Sequence, residues 1–152
     1  MKSPSRRRAR GSTVVELALV VLLLVPVVAC VVALGSILHR AAGMERAAYE
    51  AARYLVSVPR MQMSTEAGYL QAWEMAKTIA NASLAAAGQP ALTQMGFTVY
   101  CIGGCGAAVL PQRITVHLQA EVAAERWDAF TQAVLGAQNR ELQADVTLRY
   151  EN

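Results

Sequence analysis

An uncharged apolar run over residues 17–38 constrains this chain more than any other feature of its sequence. The run holds 22 consecutive residues without a formal charge, from Leu17 to Leu38. As an α-helix it would extend for about 33 Å, enough to cross a bilayer hydrocarbon core of roughly 30 Å. The sequence therefore predicts one membrane-spanning helix. Because Pro26 removes a backbone donor inside this run, a kink or a loosened turn is expected near mid-membrane.

The positive charge of the chain is concentrated before the apolar run. Five of the 14 Lys and Arg residues fall in the first ten positions, with no acidic residue among them: Lys2, Arg6, Arg7, Arg8 and Arg10. By the positive-inside rule this leader stays in the cytoplasm, and the chain after His39 and Arg40 lies in the periplasm or outside the cell. The net charge of +3 belongs to this leader, since eleven acidic residues face only nine basic ones after it. This balance excludes a nucleic-acid surface.

The N-terminal segment leaves four mature forms of the protein open. An ordinary signal peptidase could cut after Gly35, and a lipoprotein peptidase could use the sequence VVAC to leave a lipidated Cys30. Without cleavage, the chain would remain a signal-anchored domain. Cleavage before the apolar run, after Gly11, would leave Ser12 as the first residue and Glu16 as the fifth.

Glu16 lies at the start of the apolar run, and two roles compete for it. Thr13 and Glu16 match the T-x-x-E capping box, in which each side chain satisfies a backbone donor at the start of a helix. Alternatively, cleavage after Gly11 would expose an α-amine on Ser12. An amine that enters an apolar bundle needs a carboxylate nearby to offset its desolvation, and Glu16 would supply one. The two roles are compatible, and the glycine spacing together with the arginine leader favours the second.

The order of these features resembles a type IV prepilin: a short basic leader, Gly11, the sequence STVVE and a long apolar helix. The stretch RRRARGSTVVELALVVLLLVP, followed by ERAAYEAARYL, is similar to the TadE-like and TadF-like minor pseudopilins of the tight-adherence (Flp) pilus system. The later sequence LQADVTLRYEN is similar as well. The resemblance is strongest over residues 6–56.

This resemblance implies a role in pilus assembly and surface adherence. It implies that a prepilin peptidase cleaves between Gly11 and Ser12, and that Glu16 then pairs with the N-terminal amine of a neighbouring subunit. The implied partners are this peptidase, other pilins or pseudopilins and the inner-membrane assembly platform, with membrane lipid around the helix. We therefore expect a leader over residues 1–11, an N-terminal helix over 12–56 and an extracytoplasmic domain over 57–152.

The extracytoplasmic part begins as a continuation of the first helix. Apolar residues recur at spacings of three and four, so the predicted helix runs from about residue 14 to 56 and ends before Pro59. Its apolar stripe is expected to pack against the protein's own domain. The stripe consists of Ala41, Met44, Ala48, Ala51 and Leu55. A second helix is predicted over residues 66–87. Its apolar face consists of Leu70, Trp73, Ala76, Ala80 and Leu84.

The last third of the sequence changes to strand periodicity. Alternating apolar and polar residues predict strands near 97–100, 114–122 and 142–150, which fit a small antiparallel sheet. A short helix is predicted over residues 124–135. The predicted fold is α+β: a long N-terminal helix, then a small domain with a second helix and a roughly three-stranded antiparallel sheet.

The three cysteines fall into two kinds. Cys101 and Cys105 flank the sequence IGG on the predicted extracytoplasmic side, where disulfides persist, so we predict a bond between them. No histidine lies close enough in sequence to suggest a zinc site. In the prepilin interpretation Cys30 is a small apolar residue of the membrane helix.

The sequence offers little for an enzyme. It contains no GxSxG, P-loop, HExxH or Rossmann glycine pattern. His117 lies on the polar face of a predicted strand, where Glu121 and Asp145 could approach it across the sheet. Because polar sheet faces produce such neighbours by default, we predict a protein without catalytic activity, cofactor or metal.

Overall fold

The computed structural model describes residues 10–92, 96–106, 110–121 and 141–151, apart from the side chains of residues 10–12 and 121. The elements within these ranges are α1 (Arg10–Ser57), α2 (Arg60–Met63), α3 (Glu66–Ala86), β1 (Phe97–Ile102), β2 (Arg113–Glu121) and β3 (Glu141–Arg149). The strands form one antiparallel sheet in the order β1-β2-β3, which confirms the predicted α+β fold. The helix predicted over residues 124–135 lies outside the described residues.

Helix α1 continues through Pro26 from Arg10 to Ser57. The chain divides into two compact units between Ile37 and Leu38. In the first unit the apolar side chains of α1 face outward, and Leu22, for example, is 73% exposed. This helix is long and apolar enough to cross a membrane. A continuous apolar surface of this extent requires lipid or other helices around it, because water does not cover it favourably.

In the second unit, the remainder of α1 contributes small side chains to the core. The predicted stripe is buried except at Ala41, which is half-buried. The fully buried residues of α1 are Met44, Ala47, Ala48, Ala51, Ala52 and Leu55. They belong to one hydrophobic cluster with residues of α3 and of the sheet. The stripe of α1 therefore packs within the protein's own domain.

Helix α3 buries a row of residues spaced by four. The row consists of Ala72, Ala76, Ala80 and Leu84. The assignment of Leu70 to this face is wrong, because its side chain is 53% exposed. At 100° per residue, Leu70 lies roughly a quarter turn around the helix from the buried row. Thr65 caps the helix by accepting a hydrogen bond from the backbone nitrogen of Gly68 at 3.2 Å.

One face of the sheet forms the other half of the core. Its fully or almost fully buried residues are Phe97, Ile114, Val116, Leu118 and Ala144. The register pairs Val116 with both Val99 and Val146, so apolar side chains of the three strands share this face. The Trp73 ring of α3 meets the Phe97 ring edge-on, with centroids 5.5 Å apart. The sheet is thereby joined to the helices through aromatic and aliphatic contacts.

The connection after α3 is attached to α1 by a side-chain hydrogen bond. The Gln89 amide donates to the backbone carbonyl of Arg40 at 3.0 Å. Gly43 leaves the space for this contact, since a Cβ atom at that position would collide with the Gln89 amide nitrogen. The Asn81 carbonyl oxygen accepts a hydrogen bond from the backbone nitrogen of Leu92 at 2.8 Å. These two polar contacts hold the connection against both helices.

Tyr150 links the residue after β3 to the end of α1. Its hydroxyl donates to the Val58 carbonyl oxygen at 2.7 Å, and its backbone nitrogen donates to the Gln112 carbonyl oxygen at 3.0 Å. Burial raises the pKa of the Tyr150 phenol, while the nearby positive charge of Arg60 acts in the opposite direction. The phenol is thus held in its neutral, hydrogen-donating form.

We expect Tyr150→Phe to lower the free energy of unfolding by about 1–3 kcal/mol, because the buried hydrogen bond from the Tyr150 hydroxyl to the Val58 carbonyl oxygen would be lost. Urea unfolding of the full chain in a neutral detergent, followed by tryptophan fluorescence, measures this loss. Tyr100→Phe is the matched control, since the Tyr100 side chain is 58% exposed. Equal effects of the two substitutions would contradict the role assigned to the Tyr150 hydrogen bond.

Candidate functional site

The candidate processing and assembly residues lie in the first two turns of α1. The helix begins at Arg10, so Gly11 and Ser12 are already in helical conformation. Glu16 lies four residues after Ser12, which places both residues on one side of the helix, about one turn apart. The Glu16 side chain is exposed. A carboxylate is therefore available one helical turn from the position where an amine on Ser12 would form.

The capping-box interpretation of Glu16 is wrong for the chain that includes residues 1–11. An N-cap residue has non-helical backbone angles and precedes the first helical residue. Thr13 instead lies inside α1, three residues after the helix begins. In the uncleaved chain, the assignment of Thr13 as the N-cap does not hold.

The surroundings of Glu16 are apolar. The exposed fractions of its neighbours Val15 and Leu17 are 63% and 65%, and the apolar side chains continue along α1 through Leu34. When lipid or other helices cover this surface, a carboxylate within it loses its hydration and requires a cationic or hydrogen-bonding partner. The position of Glu16 thus favours a pairing role over simple surface exposure.

The outward face of the sheet carries a polar row around His117. The His117 Nδ1 atom contacts the Asp145 carboxylate, as the register of β2 and β3 requires. On the same face the Thr115 and Thr147 hydroxyls are 2.9 Å apart. Glu121 is paired with Glu141, four residues along β2 from His117. The approach of Asp145 to His117 is what cross-strand pairing of polar residues produces, and nothing in the row points to a reaction.

Cys101 and Cys105 form a disulfide, with Cα atoms 5.5 Å apart. The residue directly after this loop contacts the helices: the Gly106 backbone nitrogen donates to the Met63 carbonyl oxygen at 3.2 Å. Gly106 has a φ of 67°, a left-handed conformation that favours glycine. A Cβ atom there would also lie 3.1 Å from the Glu66 Cα atom. The residue that follows the disulfide therefore packs against the α2–α3 corner.

We expect the Cys101→Ser/Cys105→Ser double variant to be less stable by about 2 kcal/mol, the loop-closure entropy of so short a loop. Urea unfolding of the full chain measures the difference. Cys30→Ala is the control, because Cys30 is a free cysteine in the first unit. An unchanged midpoint in the double variant would show that the loop is held by its other contacts alone.

Two further titratable groups have shifted pKa values. A hydrogen bond from Arg46, with Nε and Oε1 atoms 3.0 Å apart, lowers the pKa of Glu50, and partial desolvation opposes it. Burial raises the pKa of Tyr69. The Arg46–Glu50 pair is largely exposed, so it stabilises α1 by only a few tenths of a kcal/mol. The pKa shifts of both groups are therefore explained by hydrogen bonding and burial within the domain.

Comparison with known proteins gives a match to a protein family. Residues 11–53 match the family model described as TadE-like protein. No curated protein and no solved structure matches the chain. The matched segment lies within α1, begins at Gly11 and includes Glu16 and the whole apolar run. The N-terminal helix of this chain is therefore similar to that of the TadE-like family, as its sequence pattern implied.

Proposed function

We propose that this chain is a non-enzymatic minor pseudopilin that takes part in the assembly of the tight-adherence (Flp) pilus and, through it, in surface adherence. The match of residues 11–53 to the TadE-like family is the observation that carries the proposal. The long outward-facing apolar helix agrees with this proposal, because pilin-like proteins reside in the membrane before assembly and assemble through such helices. The TadE-like family is one of pilus-associated structural proteins, which agrees with a role outside catalysis.

The proposed maturation step is cleavage after Gly11 by a prepilin peptidase. The bond between Gly11 and Ser12 is hydrolysed, and the new α-amine belongs to Ser12. Glu16 then pairs with the amine of a neighbouring subunit. This proposal is supported by the apolar surface around Glu16, where a carboxylate needs a cationic partner. The charge pair offsets the cost of placing an amine in an apolar environment.

The proposed location is the cytoplasmic (inner) membrane, which the chain crosses once. The basic leader over residues 1–11 faces the cytoplasm, and the domain over residues 57–152 is periplasmic or extracellular. A helix able to span a membrane and a disulfide in the second unit support this arrangement. The partners that follow are the prepilin peptidase, other pilins or pseudopilins, the inner-membrane assembly platform and membrane lipid.

The decisive experiment is the intact mass and N-terminal sequence of the protein isolated from its native membrane. A mature chain that begins at Ser12 is the expected result. A chain that begins at a lipidated Cys30 and takes up labelled palmitate would instead identify a membrane-anchored envelope lipoprotein that acts as a binding module. A chain that keeps Met1 would contradict both forms of processing.

A further inference from the structure

A cavity of about 530 Å³ opens in the second unit beside the loop that precedes β2. Three arginines line it, and each comes from a different element: Arg60 from α2, Arg113 from β2 and Arg149 from β3. Leu110 and Pro111 contribute an apolar wall. We call this cavity the arginine pocket. Its three basic side chains lie far apart in the sequence, and only the fold brings them together.

The sheet register places two of these arginines directly opposite each other. Arg113 is the first residue of β2 and is paired with Arg149, the last residue of β3. Residues paired in this way project from the same face of a sheet, and like charges at such positions repel each other. Both side chains are exposed. The fold thus places two arginine residues directly opposite each other at the end of the sheet.

The lining of the arginine pocket carries no acidic residue within the described part of the chain. An anion in the pocket would therefore relieve the repulsion between Arg113 and Arg149. Guanidinium groups hold carboxylates through two parallel hydrogen bonds, which makes arginine well suited to this task.

The backbone around the arginine pocket is held by hydrogen bonds within the domain. The Gln112 nitrogen donates to the Ile102 carbonyl oxygen at 2.8 Å, and the Gln112 carbonyl oxygen accepts from Tyr150. Tyr150 in turn reaches Val58, close to Arg60 in the chain. These bonds fix the segments that carry the three arginines before any ligand arrives. Such preorganisation reduces the entropy that binding would otherwise cost.

We propose that the arginine pocket binds an acidic segment of a partner protein through the carboxylates of that segment. A single small anion is held by one or two guanidinium groups, whereas this cavity has the volume of a site for a larger ligand. Its wall of Leu110 and Pro111 fits the aliphatic stems of acidic side chains. The inference goes beyond the proposed role in the pilus and does not depend on leader cleavage or on Glu16.

The test is binding of fluorescein-labelled hexaglutamate peptide to the full chain in a neutral detergent, measured by fluorescence anisotropy at low salt. We expect Arg149→Gln to weaken binding about five- to tenfold and the Arg113→Gln/Arg149→Gln double variant to weaken it further. The matched control is Arg53→Gln, which removes the same charge from an exposed position of α1 outside the pocket. This control should retain binding within about twofold.

Measurements of the free energy of unfolding separate a loss of peptide binding from a loss of folding. Because Arg149→Gln removes one of two opposed like charges, the free energy of unfolding of this variant should not fall. The proposal is overturned if hexaglutamate binds no better than hexaglutamine, or if Arg53→Gln weakens binding as much as Arg149→Gln does. Displacement of the peptide by an equal concentration of inorganic phosphate would also overturn it, since the pocket would then be a small-anion site. Preferential binding of phosphatidylglycerol vesicles through the same arginines would assign the pocket to lipid instead.

Discussion

The Glu16→Ala variant is expected to lose its leader yet fail to support formation of the pilus. Cleavage after Gly11 would still create an amine on Ser12, but this amine would enter the apolar helix bundle without its carboxylate partner. Removal of one member of a buried ion pair costs about 3–5 kcal/mol, enough to reduce subunit association more than a hundredfold. We therefore expect processed protein to accumulate in the membrane while few or no pili form.

The measurement combines an intact mass of the membrane-bound chain with a count of pili by electron microscopy. Gly11→Ala or a bulkier residue is the contrasting variant: it should retain the leader, because the change alters the residue before the cleaved bond. Val15→Ala is the matched control, since it truncates an exposed apolar neighbour of Glu16 without changing charge. Normal numbers of pili in the Glu16→Ala strain would remove the pairing argument.

Leu55→Ala should lower the free energy of unfolding by about 2–5 kcal/mol, the second large effect that we expect. Leu55 is completely buried in the cluster shared by α1, α3 and the sheet. Truncation would remove its apolar contacts and leave a cavity that the surrounding residues fill only in part. A loss of this size is a large fraction of the stability of a small domain.

The matched control for Leu55→Ala is Leu70→Ala. Both leucines lie in long helices, so the change in helix propensity is the same, but Leu70 is 53% exposed. Urea unfolding of both full-length variants in neutral detergent measures the contrast, and we expect Leu70→Ala to change stability by about 0.5 kcal/mol or less. Similar losses of unfolding free energy in Leu55→Ala and Leu70→Ala would show that burial of Leu55 in the core does not stabilise the domain.

Local patterns were sufficient to predict most of the elements. The periodicity of α1 and α3 and the alternation of the strands predicted the α+β fold and most of the element bounds. Among the described residues, the sequence patterns missed the short helix α2, which contains only four residues, too few to show a period. The error at Leu70 arose because spacings of three and four admit more than one face of a helix, and only packing selects between them.

The candidate sites also divide into those that a local sequence pattern reveals and those that only the fold brings together. Gly11 and Glu16 stand out in the sequence because their positions relative to the apolar run form a local pattern. The arginine pocket does not, since Arg60, Arg113 and Arg149 are exposed polar residues without any shared spacing. The hydrogen bond between Tyr150 and Val58 joins residues 92 positions apart and is equally invisible in the sequence.

The sequence by itself determined the membrane-length helix, the basic segment before it, the TadE-like pattern around Gly11 and Glu16, and the class of the domain. These properties depend on hydrophobicity, charge and periodicity along neighbouring residues, which the chain carries before it folds. Only the tertiary structure decided which face of α3 is buried, that Arg113 lies opposite Arg149, and that Tyr150 closes the core against Val58. Those contacts depend on strand register and on packing between distant segments, and no local pattern encodes them.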